Sequence, residues 1–504
     1  MSEFLYGASV QGIQGFILQT NELKDIVGAS ELVEKICTTE FDEFCGTNEN
    51  SILRAAGNIK HIFKSEEECK KAVRNFPRKV MEMAPGITIS QAVVKMENDF
   101  ADFSKAVDEL EKRLHTQRNK PPQSLTIGLM GIHRSRKTGL PAVKEVNGDY
   151  LDIATSKKRE KTNPESKNPT VKLCKKSFGM EGLKHDQIAY NIEDITEKND
   201  WIAIIHADGN GVGKIVQKIG TDEKQFRLFS KKLDDATKEA AQAAFNAVKD
   251  QFKDLKKIPI RPVVLGGDDL TIICRGDFAI TYTNAFLRSF EKSTQKHLGQ
   301  ILLENNVFGN KENKLTACAG IAFIKSSYPF YYGYHLAEEL CSVAKKDAKM
   351  KERMQNGLPP SCLMFHKVQD SFVESYDDIV KRELMPRDSI SFSYGPYYLE
   401  SINQRMTVKD LMEKAEKLSS KEGNAIKSHI RQWMGLLYDD PQKAEQKLKR
   451  VKAMASEDLN KLISKITSTE RNTPEGVVFY PAYDILSVHS VINQQTKEKK
   501  NEKH

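Results

Sequence analysis

The sequence places two adjacent carboxylates, Asp268 and Asp269, directly after two glycines. Apolar runs at residues 262–265 and 270–274 flank this tetrapeptide, which predicts a strand, a tight turn and a second strand. Two acids at the tip of a hairpin place fixed negative charge where backbone closely approaches a ligand. Such carboxylates are suited to hold a divalent cation against the phosphates of a nucleotide. The structural alternative is that both are ordinary turn residues, because Asp favours turns.

A third acid, Asp208, follows an apolar run at residues 201–205 and precedes alternating glycines. There the carboxylate can bind a cation, while exposed backbone N–H groups and the following helix start bind phosphate. The segment is not a Walker loop, because Asp208 and Ile215 occupy positions that need Gly and Ser or Thr. It is not a dinucleotide fingerprint either, because Lys214 occupies the third glycine position. The structural alternative for Asp208 is a helix N-cap.

The elements around these acids have the βαββαβ order of a palm domain. A helical pattern from about residue 223 to 256 separates the strand with Asp208 from the hairpin. In such a sheet the first strand lies beside the hairpin, so Asp208 and Asp269 should meet across neighbouring strands. A buried strand over residues 315–323 and a helix carrying Lys345 complete the domain. Lys345 is either a point charge for a triphosphate or an ordinary exposed lysine.

The N-terminal part of the chain resembles a degenerate copy of this palm. Residues 4–17 parallel the strand and turn around Asp208, with Val10 in the place of the acid. Ala-Ala-Gly-Asn at residues 55–58 stands where Gly-Gly-Asp-Asp stands in the second copy, and residues 87–94 parallel the later strand. A first palm without these acids is not expected to hold metals, but it can bind a second nucleotide that faces the active copy.

The composition limits the classes of protein to which the chain can belong. The chain has 504 residues, 39% hydrophobic and 29% charged, and it contains no apolar run of membrane-spanning length. Its start lacks the pattern of a secretory signal. The eight cysteines include no C-x-x-C pair, so we expect a cytoplasmic protein without zinc. The net charge is +8, and basic residues crowd the region from Arg113 to Lys176, which indicates either contact with a polyanion or a solvated loop.

Together these features resemble the large subunit of type III CRISPR effector complexes, the Cas-ten family, with the Cmr (III-B) branch nearest. The resemblance covers most of the chain. It rests on two palms, the second with Gly-Gly-Asp-Asp, and on four further segments: Gln-Gly-Phe-Ile at 14–17, Gly-Ala-Ser-Glu-Leu at 28–32, Gly-Leu-Pro-Ala at 139–142 and Ser-Tyr-Gly-Pro-Tyr at 393–397.

The resemblance implies an α+β fold with two ferredoxin-like palms of the nucleotide cyclase/polymerase (GGDEF-like) type, an interpalm insert and a C-terminal helical domain. Two departures from the family matter. Its frequent HD nuclease domain has no counterpart before residue 4, and Cys174 stands alone where the family has a cysteine cluster, so we expect neither DNase activity nor zinc. We predict a first palm at 1–150, a basic insert at 151–195, a second palm at 196–370, a helical domain at 371–490 and a disordered tail at 491–504.

The resemblance also implies metal-dependent nucleotidyl transfer from ATP. Two divalent ions, Mg or Mn, would bridge the catalytic acids Asp208, Asp268 and Asp269. Nucleotide contacts are expected from both glycine turns, from the helix after the second palm's last strand and from the first palm: Gly209, Asn210, Gly211, Val212, Gly213, Gly266, Gly267, Lys345 and Ser30. In the family the usual product is cyclic oligoadenylate, whereas some members without the HD domain join AMP to S-adenosylmethionine. Both products stay open here.

The partners that the resemblance implies are guide RNA and target RNA, whose pairing switches on synthesis in antiviral defence. A small helical subunit and the subunit that binds the guide end are also expected as partners. No contact with a membrane is expected. Two alternatives stand beside this function. A free-standing enzyme similar to diguanylate cyclases normally has one palm and a sensor module, and a non-catalytic scaffold would use the acids structurally.

Overall fold

A computed structural model gives the fold of the chain. It describes residues 3–45, 50–55, 57–96, 101–120, 131–162, 171–197, 200–220, 222–308, 312–370, 375–403, 405–467, 471–472 and 476–493. Residues 163–170 of the predicted insert and 494–504 of the predicted tail lie outside the described residues. Within the described ranges, no helix is long and apolar enough to cross a membrane.

The N-terminal palm contains one four-stranded sheet with helices. Its strands are β1 (Glu3–Gln11), β2 (Ser51–Ala55), β3 (Asn58–Phe63) and β4 (Thr88–Met96). Its helices are α1 (Ile13–Ile17), α2 (Leu23–Cys37), α3 (Asp42–Cys45), α4 (Glu66–Met83) and α5 (Ala101–Arg118). The strand order is β2-β3-β1-β4, and β1 pairs antiparallel with both β3 and β4.

Apolar residues on one face of this sheet form the core of the N-terminal palm. Leu5, Ile62 and Val94 come from three different strands and pack with Leu110 of α5. Gly7 of β1 permits the approach of α5, because a Cβ there would lie 2.8 Å from the Leu110 side chain. Burying a side chain of this size stabilises the fold by roughly 1.5–3 kcal/mol.

Strands β5 (Ala142–Val146) and β6 (Asp149–Asp152) and helices α6 (Ile153–Thr162) and α7 (Lys172–Phe178) follow the first palm. Two of the basic residues in this region, Lys158 and Arg159, are neither solvated nor free to contact a polyanion. Lys158 is fully buried and donates to the Phe16 carbonyl at 2.7 Å. Arg159 binds Asp25 at 2.7 Å. These cations therefore hold α6 against the first palm.

The second palm is built from β7 (Trp201–Gly209), α8 (Val212–Ile219), α9 (Glu223–Val248), β8 (Ile260–Gly266), β9 (Asp269–Arg275), α10 (Ala279–Glu304), β10 (Ala317–Lys325), α11 (Phe330–Ala348) and β11 (Cys362–Lys367). Helix α9 ends at Val248, earlier than the predicted 256, and a short 3-10 turn over Lys249–Gln251 follows it. Strand β7 runs through Asp208 to Gly209, so Asp208 is a strand residue and not an N-cap. The cap of α8 is Gly211.

The C-terminal part is mainly helical, as the sequence indicated. Its helices are α12 (Tyr376–Ile379), α13 (Val408–Lys417), α14 (Lys421–Asp439), α15 (Pro441–Met454), α16 (Glu457–Ile466) and α17 (Ala482–Ile492). Its short strands are β12 (Ile390–Ser391), β13 (Tyr397–Tyr398), β14 (Arg471–Asn472) and β15 (Val478–Phe479). Strands β12, β15 and β14 form a small sheet, whereas β13 joins the edge of the second palm sheet.

The larger sheet has the order β13-β11-β10-β7-β9-β8. Its last four strands repeat the order of the first palm, in which the hairpin strands lie beside the first strand and the fourth strand lies on the other side. This shared topology confirms two ferredoxin-like palms. Gly320 of β10 lets α11 pack closely, because a Cβ there would lie 2.0 Å from the Ala337 carbonyl oxygen.

The described chain divides into two compact units. The first comprises Met1–Ile195, Gly211–Ile272 and Ser289–Leu315, and so holds the first palm, α6 to α9 and β8. The second comprises Thr196–Asn210, Ile273–Arg288 and Thr316–His504, and so holds β7, β10, α11, β11 and the later elements.

Candidate metal and nucleotide site

Three acids converge at one edge of the six-stranded sheet. Asp208, Asp268 and Asp269 each offer a carboxylate oxygen, and these oxygens all lie within 4.8 Å of one another. Asp208 is near the end of β7, Asp269 begins β9, and Asp268 lies in the turn between β8 and β9. Because β7 lies beside β9, the sheet brings together residues that are distant in sequence. The predicted meeting of Asp208 and Asp269 is confirmed.

The turn between β8 and β9 is fixed from two sides. Gly267 has φ 63°, in the left-handed region that favours glycine, so the turn can be tight. Thr237 of α9 donates its hydroxyl hydrogen to the Gly267 carbonyl at 2.6 Å. Gly266 ends β8 and is buried. The two acids after these glycines therefore project from an anchored turn.

Lys345 of α11 binds the first acid directly. Its Nζ forms an ion pair with Asp208 and donates to the Gly209 carbonyl at 2.9 Å. Burial alone would lower the pKa of Lys345, but the Asp208 carboxylate raises it above its ordinary value. Only 16% of the side chain is exposed, so Lys345 is not an ordinary exposed lysine. Its contact with a triphosphate stays a prediction.

The glycine turn after β7 has a buried half and an open half. Asn210 is buried and binds Thr316 through its backbone N–H at 2.8 Å and its side-chain amide at 3.0 Å. Gly211, with φ 73°, caps α8, and Val212 is buried. A Cβ on Gly211 or Gly213 would meet nothing within 4 Å. Asn210 and Val212 therefore shape the turn, while the backbone of the two glycines borders open space.

Ser30 packs inside the first unit, and its predicted contact with a nucleotide stays a prediction. It is buried in α2, and its hydroxyl donates to the carbonyl of Val263 on β8. This hydrogen bond gives the buried Ser30 hydroxyl a partner, which it would otherwise lack in the core. The structure therefore gives Ser30 a packing role, and no described feature places its hydroxyl toward the acids.

Two supporting residues were missed by the sequence analysis. The sequence contained a weak indication for Thr237, because its hydroxyl lies on the apolar face of α9 and needs a buried hydrogen-bond partner. It contained none for Asp347 of α11, because its partner Arg405 is distant in sequence. Arg405 binds both carboxylate oxygens of Asp347, at 2.9 and 3.1 Å, and Tyr398 also donates to Asp347. This buried cluster anchors the helical turn that carries Lys345.

The first palm has a neutral pair where the second has acids. Gly12 caps α1 as Gly211 caps α8, and counting back from these glycines makes Ser9 the counterpart of Asp208. The predicted counterpart, Val10, is wrong by one residue, and successive strand residues point to opposite faces. Ser9 pairs with Asn58 of the first hairpin and donates to its side-chain oxygen at 2.8 Å. A hydroxyl and an amide thus replace two carboxylates.

The acids of the second palm fit a divalent metal. Three carboxylates at this separation repel one another unless a cation lies among them. Lys345 offsets part of the charge at Asp208. Mg²⁺ and Mn²⁺ both prefer oxygen ligands of this kind.

Fold and site together define a protein with two palms of the nucleotide cyclase/polymerase type, one of which brings three acids together. Residues 201–355 match the family model for "Cas10/Cmr2, second palm domain". No curated protein matches the chain. This segment of the chain is therefore similar to the second palm of Cas10, the large subunit of type III CRISPR complexes.

Solved structures support the same fold. The chain is similar to crystal structures of a Csm1-Csm4 cassette in complex with cA4, at 14% identity, and with one ATP, at 15%, each with a TM-score of 0.54. It is also similar to the Csm1-Csm4 subcomplex of the type III-A CRISPR-Csm interference complex, at 14% identity and a TM-score of 0.54. Each similarity covers 97% of this chain and 69% of the other.

We predict that Mn²⁺ stabilises the chain through the three acids. A ligand that binds the folded state alone raises stability by about 2.7 kcal/mol at a hundredfold excess over its dissociation constant. Thermal unfolding with and without Mn²⁺ measures the effect. The Asp208→Asn, Asp269→Asn variant should lose the shift in melting temperature, whereas Asp250→Asn, Asp254→Asn, a matched change of exposed acids, should keep it. Equal shifts in both variants would contradict the site.

Proposed function

We propose that the chain transfers a nucleotidyl group from ATP to make a second messenger, in a metal-dependent reaction within an RNA-guided type III complex. The observation that carries this proposal is the convergence of Asp208, Asp268 and Asp269 within 4.8 Å. Its place in a Cas10/Cmr2 second palm supports this function. The ATP and cA4 in the titles of the similar Csm1-Csm4 structures support adenylate chemistry.

Different residues have different roles at the donor nucleotide. Asp208, Asp268 and Asp269 would hold the divalent ions, and bound ions would lower the pKa of an attacking hydroxyl and neutralise phosphate charge. Lys345 adds a fixed positive charge for phosphate oxygens beside Asp208. The turn that Gly211 and Gly213 leave open offers backbone N–H groups to the same phosphates.

A cavity in the first unit is our candidate for the acceptor. It has a volume of about 620 Å³, in the range of small-molecule sites. Its lining combines cations, acids, hydroxyls and a short apolar stretch: Arg54, Arg227, Lys231, Asp42, Asp234, Asp235, Thr38, Ser51, Ser230, Ile52 and Leu53. Such a mixed lining suits a ligand with charges of both signs or a phosphate beside an apolar base.

The cavity is connected to the Gly-Gly-Asp-Asp turn by hydrogen bonds. Lys176 binds Asp234 of the cavity wall at 2.9 Å and donates to the Leu265 carbonyl, just before the turn, at 3.1 Å. Thr237, one helical turn after Asp234 on α9, holds the Gly267 carbonyl. The acceptor wall and the metal hairpin are therefore fixed to each other. In either case an acceptor oxygen would bond to the α-phosphorus of ATP and pyrophosphate would leave. Repeated transfer to a second ATP would give cyclic oligoadenylate, and transfer to S-adenosylmethionine would give its AMP conjugate.

We predict that an Asp268→Ala, Asp269→Ala variant loses nucleotidyl transfer. Metal stabilisation of a transferring phosphate contributes several kcal/mol, so the rate should fall at least about 100-fold. The assembled complex with guide and target RNA, magnesium and labelled ATP is assayed with and without S-adenosylmethionine. Asn58→Ala, at the hairpin of the first palm, is the matched control and should retain activity.

The outcomes of this assay separate the alternatives. Adenylate product that persists in the acid variant would refute the assigned site. Product that depends on S-adenosylmethionine would identify the acceptor, whereas product from ATP alone would indicate an oligoadenylate. Activity without target RNA would favour the free-standing enzyme, and no product under any condition would favour the scaffold.

We predict that Arg227→Gln weakens binding of the acceptor more than binding of the donor ATP. Arg227 lines the cavity, and one charge-assisted hydrogen bond is worth about 1.5–3 kcal/mol, so the KM for the acceptor should rise at least about tenfold. Rates measured against each substrate separately give the two KM values when S-adenosylmethionine is the acceptor, and a preformed adenylate dinucleotide is the separately varied acceptor when ATP alone gives product. Lys224→Gln, an exposed cation on α9 outside the cavity lining, should leave both values unchanged. A rise for both substrates together, or for neither, would contradict the assignment.

A further inference from the structure

Strand β8, which leads into the Gly-Gly-Asp-Asp turn, lies at the end of the six-stranded sheet. Among the described strands its single neighbour is β9. Along an antiparallel strand, alternate residues direct their carbonyls to opposite sides. The carbonyls of Val263, Leu265 and Gly267 therefore form one row on the side away from β9. An edge of this kind needs hydrogen-bond donors from outside the sheet.

Side chains from three helices supply these donors. Each carbonyl of the row has a different partner: the Ser30 hydroxyl of α2 donates to Val263, the Lys176 ammonium of α7 donates to Leu265 at 3.1 Å, and the Thr237 hydroxyl of α9 donates to Gly267 at 2.6 Å. The donors and the carbonyls all belong to the first compact unit. Three helices thus fix the edge of the strand that carries the turn.

Thr237 holds the peptide group directly before the first acid of the turn. The Gly267 carbonyl belongs to the peptide bond that joins Gly267 to Asp268, so a hydrogen bond to this oxygen fixes the plane from which Asp268 starts. The Thr237 hydroxyl also lies 3.0 Å from the Leu233 carbonyl, the usual partner of a threonine within its own helix. Its contact with Gly267 is the shorter one, and Thr237 is fully buried.

Lys176 is itself held at both its backbone and its ammonium group. Gln242 of α9 donates to the Lys176 carbonyl at 3.1 Å, and Asp234 of the same helix binds the ammonium at 2.9 Å. Glu34 of α2 is a further acid close to this cation, because Lys176 lowers the pKa of Glu34 while burial raises it. The ammonium group is therefore fixed where it meets the Leu265 carbonyl.

These contacts oppose the repulsion among the metal-binding acids. Asp208, Asp268 and Asp269 lie within 4.8 Å of one another, so without a cation their charges favour displacement of the turn. Hydrogen bonds to the backbone on either side of Gly266 resist that displacement. Groups that orient the ligands of a metal typically contribute about 10- to 100-fold to its affinity.

We propose that Thr237 and Lys176 are positioning residues that set the affinity of the three acids for a divalent cation. Neither side chain coordinates the metal. They act through the Gly267 and Leu265 carbonyls, which hold the turn where its two acids meet Asp208. This inference rests on the proposed function, because it assigns the metal to the same acids.

A titration of the full-length chain with Mn²⁺ alone, followed by electron paramagnetic resonance of the free ion, tests the role of Thr237. Thr237→Val removes the hydroxyl but nearly keeps the shape of the side chain, and it should raise the Kd at least about tenfold. Thr237→Ser keeps the hydroxyl and should bind like the wild type. Thr283→Val is the matched control, because the buried Thr283 hydroxyl binds the Ala279 carbonyl within its own helix at 2.8 Å.

Lys176→Met provides an independent variant whose effect has a diagnostic sign. Removing a positive charge near a cation site by itself strengthens cation binding. Loss of positioning weakens it, so we expect the Kd for Mn²⁺ to rise about tenfold. Lys314→Met removes another half-buried lysine, which is paired with Glu291 at 2.7 Å, and should leave the Kd unchanged. Thermal unfolding without metal checks that every variant is folded.

Hydrogen exchange without metal gives a readout that does not depend on metal binding. The backbone amides of residues 262–270 should exchange faster in Thr237→Val and Lys176→Met than in the wild type, because the turn is held less firmly. Unchanged exchange there would overturn the positioning role, even if the wild type bound no Mn²⁺ and the acid site itself were refuted.

Two outcomes of the titration would also overturn the proposal. One is a Kd that stays at the wild-type value in both Thr237→Val and Lys176→Met. The other is an equal rise in the Thr283→Val and Lys314→Met controls. Either result, obtained with a wild type that binds Mn²⁺, would leave the three-acid site and the proposed nucleotidyl transfer intact.

Discussion

The mutual repulsion of three carboxylates is the constraint on which the site depends. Asp208, Asp268 and Asp269 are held within 4.8 Å by strand pairing and by a glycine turn that Thr237 anchors. Sheet hydrogen bonds and core packing oppose the tendency of the acids to separate. The result is a site prepared for a cation, with Lys345 offsetting part of the charge at Asp208. The buried contact of Asp347 with Arg405 then fixes the helix from which Lys345 extends.

The two palms share one strand arrangement, but only the second palm holds carboxylates that repel one another. Both have the same strand order, and in both a glycine caps the helix after the first strand. Where the second palm concentrates negative charge, Ser9 and Asn58 form a neutral hydrogen bond in the first. The Arg118 guanidinium also donates to the Ser9 hydroxyl at 3.2 Å, and the pair carries no negative charge for a metal ion to offset. We infer that the first palm supports the site through packing, as Ser30 does against β8, and through the cavity wall that carries Arg54.

The sequence predicted the features that local pattern encodes. Apolar runs and glycines located the strands around Asp208 and the hairpin, and the palm topology then predicted that the acids meet. The sequence did not predict which residue of β1 corresponds to Asp208. Val10 and Ser9 are adjacent, and only the pairing of Ser9 with Asn58 shows that Ser9 is the counterpart. Contacts between distant segments were not predictable from spacing. The charge pattern predicted that Lys158 and Arg159 lie at the surface, yet Lys158 is buried and Arg159 is paired with Asp25.

The most direct test of the central claim is a crystal structure of the chain with Mn²⁺ and a non-hydrolysable ATP analogue, with data collected at the manganese absorption edge. Anomalous density is expected among Asp208, Asp268 and Asp269, within bonding distance of their carboxylate oxygens, with the analogue's phosphates beside Lys345. Manganese elsewhere in the presence of bound analogue, or phosphates bound away from the turn between β8 and β9, would contradict it.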